Sequence, residues 1–279
     1  RGMDNGGVYL DISHRNAEFI AERLPRMYER FMDLGVDMAA EPVEVAPTAH
    51  YGMGGVHVDE YGETDVEGLF AIGETMAGVH GANRLGGNSL AETIAYGAVT
   101  GERVANRIDG PGAVPDDLLT SAVEPHLSEL VTTANRSGEH DVETVLEELR
   151  NLMWEHTGIL RDEASLQQGL EQLEAVREKA RAVRVGGVTS RSFELAIDLG
   201  FMLTAAEAVL SGALERTESR GAHYRTDHPG MDPDWQQNIR FERADIGRMA
   251  PHTEPVDAPS EAVQAALDQG HELNYHQLE

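Results

Sequence analysis

Apolar positions recur at helical spacing from Ser13 onward. Phe19, Ile20, Leu24, Met27 and Phe31 stand mostly three to four residues apart with charges between them, and Gly35 ends the run. The spacing predicts a helix. Pro25 predicts a bend or division in it, because the prolyl ring removes a backbone donor and collides with the preceding turn. Ahead of it, Val8-Tyr9-Leu10-Asp11 closes a glycine-rich opening and reads as a short strand. Residues 41–49 are extended and proline-bounded, delivering His50-Tyr51-Gly52-Met53-Gly54-Gly55 at a loop. Val56 and Val58 alternate with His57 and Asp59 as in a half-exposed strand, and Glu60–Glu63 makes the turn. Gly68–Glu74 reads as a short buried strand, and Ser89 to Ile108 as a helix rich in alanine and glycine.

Residues 109–117, Asp-Gly-Pro-Gly-Ala-Val-Pro-Asp-Asp, form the clearest linker, since glycine and proline break both helix and ladder. Beyond it, helices are expected at about 141–156, 159–184 and 191–215. In the last of these, Leu195, Leu199, Met202, Ala206, Val209 and Leu214 make one stripe, so three helices can close into a bundle. After Pro229 the pattern turns irregular, and from about 250 proline and acidic residues suggest a loosely ordered tail. The fold class is therefore mixed α+β, a strand-bearing part followed by a helical one.

The run Gly73-Glu74-Thr75-Met76-Ala77-Gly78-Val79-His80-Gly81-Ala82-Asn83-Arg84-Leu85-Gly86-Gly87-Asn88-Ser89-Leu90 puts glycines and one arginine between a strand and a helix. Glycines let a backbone approach a ligand closely, and a helix start aims its N–H groups at an anion or carbonyl oxygen. Glu74, at the end of the strand, stands where an acid meets a ribose hydroxyl in dinucleotide folds.

Three ordered blocks, Ala46–Gly55, Gly68–Glu74 and Val79–Leu90, closely resemble the flavoprotein subunit of succinate dehydrogenase and fumarate reductase. A fourth, Glu218-Ser219-Arg220-Gly221-Ala222-His223-Tyr224-Arg225-Thr226-Asp227-His228-Pro229, resembles the same family's C-terminal motif. The resemblance implies the end of a capping domain over 1–47 and the C-terminal part of a Rossmann-like FAD-binding domain over 48–110. It implies a helical C-terminal domain over 111–241, leaving an acidic tail at 242–279. It also implies FAD as cofactor, with Glu74 on the adenosine ribose and Asn88, Ser89 and Leu90 at the isoalloxazine end. Arg84 and His50 become the dicarboxylate-binding pair, and the family's proton-donating arginine would precede Arg1. The partners implied are an iron–sulfur subunit with, beyond it, a membrane anchor on the inner face. L-aspartate oxidase, a relative, resembles the pattern too but tends to carry Ala-Ser where this chain has Gly86-Gly87. A non-catalytic fragment or assembly module is the third reading. The glycine-rich fingerprint expected near the beginning of such a flavoprotein is not in the chain, which reads as the C-terminal part of a longer polypeptide.

Other candidates have plainer readings. His80 is expected to be structural, and Arg220, His223 and Arg225 to hold the C-terminal segment onto the rest. His126, His140, His156, His252, His271 and His276 lack metal-ligand spacing and are expected at the surface. The Asp116-Asp117 and Glu147-Glu148 pairs are expected on solvated faces.

Composition narrows the picture. The chain has no cysteine, so it holds no disulfide, thiolate metal site or iron–sulfur cluster of its own. Its length of 279 residues and 41% hydrophobic content suffice for a sizeable core. No stretch approaches eighteen apolar residues and no leader opens the chain, so a cytoplasmic setting is expected. Acidic residues number 49 against 22 basic ones, only Lys179 being lysine, for a net charge of −27. Nucleic acid is excluded, because binding phosphates requires basic patches. Such a surface suits concentrated salt, where the Debye length falls to about 3 Å and self-repulsion is muted. The expected outcome is a Tm that rises as KCl is raised to molar levels; a flat or falling Tm in thermal melts would exclude a salt-adapted protein.

Overall fold

The computed structural model describes residues 7–107, 115–243 and 249–268. Contacts divide the chain into two compact units, Arg1–Gly52 and Met53–Glu279. The first runs β1 (Val8–Leu10), α1 (Ala17–Arg23), α2 (Pro25–Asp33) and β2 (Val43–Val45), with β1 and β2 antiparallel and Val8 opposite Val45. Asn16 starts α1, its side chain accepting from Phe19 N–H at 2.8 Å. The expected helix from Ser13 is thus two, divided at Pro25, which opens α2 at a position where its missing N–H costs nothing. Ile20, Met38 and Val43 form the buried centre, with Tyr28 and Phe31 against it.

The second unit runs α3 (Asn88–Arg107), α4 (Asp116–Ala134), β3 (His140–Asp141), α5 (Val142–Thr157), α6 (Glu163–Arg181), β4 (Val183–Arg184) and α7 (Arg191–Glu215), then β5 (Gln237–Arg243), β6 (Met249–Pro255) and α8 (Glu261–Asp268). The bundle is α5, α6 and α7, closed over Leu146, Leu149, Leu166, Leu173, Leu199 and Leu210. Three caps start these helices: Asp141, Asp162 and Ser190, each accepting from N–H groups of the first turn. Gly169 lets α6 approach both neighbours, for a Cβ there would lie 2.7 Å from Leu210 Cδ2 and 2.9 Å from His156 Cβ.

Several sequence expectations are corrected. Gly68–Glu74 is not a buried strand: Phe70 makes one antiparallel bridge with Glu63, Leu69 is 53% exposed, and Gly73–Thr75 is a 3-10 turn. A buried strand needs neighbours on both edges, and among the described residues this segment has that one bridge. The 56–58 segment likewise keeps only the Val56–Met76 bridge among the described residues. α4 is an addition to the helices expected beyond the linker, and Asp116 and Asp117 occupy its exposed first turn. The expected linker lies largely outside the described residues, as do His271 and His276. The irregular stretch after Pro229 contains the β5–β6 hairpin, in register from Gln237 opposite Pro255 to Arg243 opposite Met249, and α8 follows in the expected loose tail. His156 is buried rather than superficial, its Nδ1 3.0 Å from Ser165 Oγ.

The motif at 218–228 ties the bundle's ends together. Arg225, 1% exposed, donates through Nη1 to the carbonyls of Ala213, Leu214 and Arg216 at the C-terminal end of α7. Its Nε and Nη2 meet Asp227, whose Oδ2 accepts from Glu163 N–H at the start of α6. Glu218, fully buried, accepts from Arg216 and twice from Arg220 at 2.7–2.9 Å, and from Asp232 N–H. His223 Nδ1 lies 3.0 Å from Arg161 Nη1, so it accepts there, and Nε2 donates to the Arg216 carbonyl at 3.2 Å. The expected holding role of Arg220, His223 and Arg225 is what the structure contains.

These contacts set the acid response. Burial pushes Glu218 up, but the donors from Arg220, Asp232 and Arg216 outweigh it and bring it down to about 2. The Arg225 guanidinium holds Asp227 well below the usual carboxylate range. Burial, with Arg161, Arg225 and Arg216 nearby, lowers His223 against the one backbone bond that favours its charged form. In all three the unfolded chain binds protons first, so stability falls with pH. The denaturation midpoint is expected to decline below the ordinary histidine value of 6.5 and more steeply below the ordinary glutamate value of 4.5. Separately, Gly169→Ala overpacks the bundle and is expected to cost about 1–3 kcal/mol, read as a lower urea midpoint at unchanged m-value.

Candidate functional site

The cradle is built by two strands of irregular backbone laid against α3. Val56 N–H donates to Thr75 O at 2.8 Å and Ala77 N–H to Val56 O at 3.0 Å, so residues 53–58 run beside the 73–77 turn. That approach requires Gly55, since a Cβ there would lie 2.2 Å from the Thr75 carbonyl oxygen. The loop between is fastened to α3 by Thr100 Oγ1 donating to Tyr61 O at 2.7 Å, by the Arg107–Glu63 ion pair and by Arg103 stacked over Tyr61.

Glu74 sits exposed on the 3-10 turn. After it, Cβ atoms built on Gly78, Gly81, Gly86 and Gly87 meet nothing within 4 Å, so the run presents bare backbone on its outer side. A flat ring or a diphosphate can lie against such backbone at N–H distance. α3 then begins at Asn88, one residue before the sequence expectation, and its first turn carries no acidic residue. The helix's own side chains therefore leave its positive end un-neutralised for an anion. Asn88 N–H donates to Leu85 O and Leu90 N–H to Gly87 O, both at 3.2 Å; Ser89 is half-buried and the Leu90 side chain is exposed. This set, an accepting carboxylate followed by glycine backbone and a helix start, fits the ribose and electron-rich ring edge of a flavin dinucleotide.

Arg84 is half-buried on the same run, with Nη1 donating to Leu85 O at 3.1 Å. His80 is structural, as expected, but its partner lies on α3: Nε2 is 2.7 Å from Glu92 Oε2, with both side chains nearly fully buried. No spacing rule points from His80 to Glu92, and only the fold joins them. Glu74, Arg84, Asn88, Ser89 and Leu90 all belong to the second unit, on the turn and loop leading into α3. His50 belongs to the first, at its exposed end. Sequence reasoning did not foresee the contact between Ala82 and the C-terminal motif, where Ala222 N–H donates to Ala82 O at 3.1 Å. Among the described residues no cluster of three His, Asp or Glu side chains is placed to hold a metal ion, and no helix is long and apolar enough to cross a membrane.

Comparison with known proteins converges on the same picture. The family described as FAD binding domain matches residues 1–90, and the one described as fumarate reductase flavoprotein C-term matches residues 146–264. The CoM/CoB fumarate reductase of Methanothermobacter marburgensis is 41% identical, in the chain that matches, over 87% of this protein and 44% of that one. L-aspartate oxidase of Pseudomonas aeruginosa is 36% identical over 83% of this chain and 41% of its own length. Among solved structures, the Mycobacterium smegmatis Sdh1 complex in the apo form superposes with a TM-score of 0.84 at 35% identity, over 99% of this chain and 48% of that one. The chain thus spans about half the length of the relatives it matches. With these matches and the cradle just described, the chain belongs to the FAD-dependent oxidoreductase family of fumarate reductase and succinate dehydrogenase flavoproteins, whose cofactor is FAD.

Proposed function

We propose that the protein serves the interconversion of succinate and fumarate, with Arg84 gripping a substrate carboxylate. One observation carries this reading: a half-buried guanidinium stands on bare glycine backbone, four residues before a helix whose first turn has no acid. A dianion requires a fixed cation with donors beside it, and a planar guanidinium meets a carboxylate through two parallel hydrogen bonds. The helix start adds positive potential in the same place. His50 is a proposed dicarboxylate donor on the resemblance of its Pro-Thr-Ala-His-Tyr setting to the family's.

Glu74 would hold the ribose hydroxyls of FAD, and Asn88, Ser89 and Leu90 would lie at its ring end, with the serine hydroxyl as a donor there. FAD, when bound, supplies the hydride chemistry. The chain's own residues orient the diacid and neutralise its charge. The family resemblance supports an iron–sulfur partner as the electron acceptor; any such cluster would sit on that partner, since this chain has no cysteine to hold one. Through that partner the assembly reaches a membrane anchor.

The second reading is L-aspartate oxidase, favoured by relatives of that name at 34–36% identity. Gly86-Gly87 favours the first reading. Turnover of succinate with an artificial acceptor, set against L-aspartate with oxygen, decides between them in the flavin-loaded enzyme; activity on aspartate alone would overturn the diacid reading. In the same enzyme Arg84→Lys is expected to lower kcat/KM for the dicarboxylate by about 10²-fold or more, since a point charge lacks the two-pronged geometry and misplacement of this order carries such a penalty. Unchanged kinetics would remove Arg84 from the site.

A further inference from the structure

The loop that carries Arg84 is fixed from two sides, and only one of them is the helix it leads into. On the α3 side, the buried His80–Glu92 pair holds residue 80. On the other side stands the tip of the C-terminal motif. Arg220 N–H donates to His223 O at 2.8 Å and His223 N–H to Arg220 O at 3.0 Å, which closes a two-residue hairpin turn over Gly221 and Ala222. Gly221 has φ +58, and among the described residues positive φ is confined to glycines, the pattern of a type II′ turn with glycine in first place. The tip lies directly on the backbone of Ala82. Ala222 N–H donates to Ala82 O at 3.1 Å, and a Cβ built on Gly221 would stand 2.3 Å from that oxygen and 2.6 Å from its carbon.

The turn is itself held rigidly at both ends. Glu218 engages Arg220 through two bonds, and Ser219 Oγ accepts from Arg225 N–H at 2.8 Å while donating to His228 O at 2.7 Å. A rigid tip in backbone contact fixes the peptide it touches. Ala82 precedes Arg84 by two residues, and a two-pronged carboxylate clamp tolerates displacements of only about 0.5 Å.

We propose that Gly221 and Ala222 are positioning residues for the dicarboxylate site: the turn they form sets the Ala82 peptide, and through it the place of the Arg84 guanidinium. This rests on the reading of Arg84 as the substrate clamp. It gives the helical domain a part in substrate recognition through a backbone contact. Glycine at 221 follows from the contact, because any Cβ would push into the Ala82 carbonyl.

The test is Gly221→Ala in the flavin-loaded enzyme, with Gly187→Ala as its partner. Gly187 also has positive φ, +93, but a Cβ there meets nothing within 4 Å, so that variant carries the backbone strain without the contact. Gly221→Ala is expected to raise the succinate KM by about 10- to 100-fold, with flavin content retained, and to speed amide exchange across 81–85. Gly187→Ala is expected to change neither. Ala222→Pro, which deletes the donated N–H at a position of negative φ, carries the same expectation if Gly221→Ala does not fold. Equal KM and equal exchange in the 221 and 187 variants would overturn the proposal. Arg84→Lys measured alongside separates the two readings. If it leaves kcat/KM unchanged, the clamp has failed and this inference with it; if it lowers kcat/KM while Gly221→Ala matches Gly187→Ala, the positioning inference alone falls.

Discussion

The second unit depends on one ion pair set between two helix ends, a buried Arg225 guanidinium and the more exposed Asp227 carboxylate. Arg225 lies at the C-terminal end of α7, where the last carbonyls have no partner within the helix, and it satisfies three of them. Asp227 lies at the N-terminal end of α6, where it accepts a backbone N–H. Cation and anion thus each sit at the helix end whose partial charge favours them, and they sit together. A buried guanidinium is costly unless such further bonds satisfy its remaining donors. Here they do, so the two longest helices of the bundle are locked end to end by a segment beyond both.

That arrangement explains why the interior of so acidic a chain is rich in arginine contacts. Arg216, Arg220 and Arg225 are three of only 22 basic residues, and all three serve Glu218 or Asp227. Lysine would not substitute, since each arginine here uses two or more of its planar donors on carboxylate and carbonyl oxygens at once. Part of the scarce positive charge is thereby spent on internal geometry, and the surface is left to the carboxylates.

Much of this is legible in the sequence, and the rest is not for definable reasons. The bundle is readable because Leu195, Leu199, Met202 and their neighbours repeat at helical spacing and because Gly186-Gly187 interrupts it. Pro25 marks the division of the first helix. The spacing of Leu119, Val123, Leu127 and Leu130 is equally helical, but Pro125 stands in the middle of it and contradicts the pattern locally. In the β5–β6 hairpin, Pro251 and Pro255 mask the second strand, although proline is tolerated on an edge. The opposite error arises at Gly68–Glu74, where an apolar run suggests burial that no neighbouring strand among the described residues provides. Candidate site residues are legible as motifs, whereas the contacts that hold them, His80 to Glu92 and Ala222 to Ala82, join positions that no periodicity relates.

The division of labour that results follows from what a backbone can do. A glycine run that exposes its N–H groups to a ligand cannot also hold itself in place, because it has no side chains with which to pack. The stiffness must be supplied by neighbours. In this chain it comes from a buried carboxylate on α3 on one side and from a turn braced by Glu218 on the other. The 218–228 motif, tied to the ends of α6 and α7, is therefore the firm backing against which a loop of glycine and one arginine can keep a defined shape.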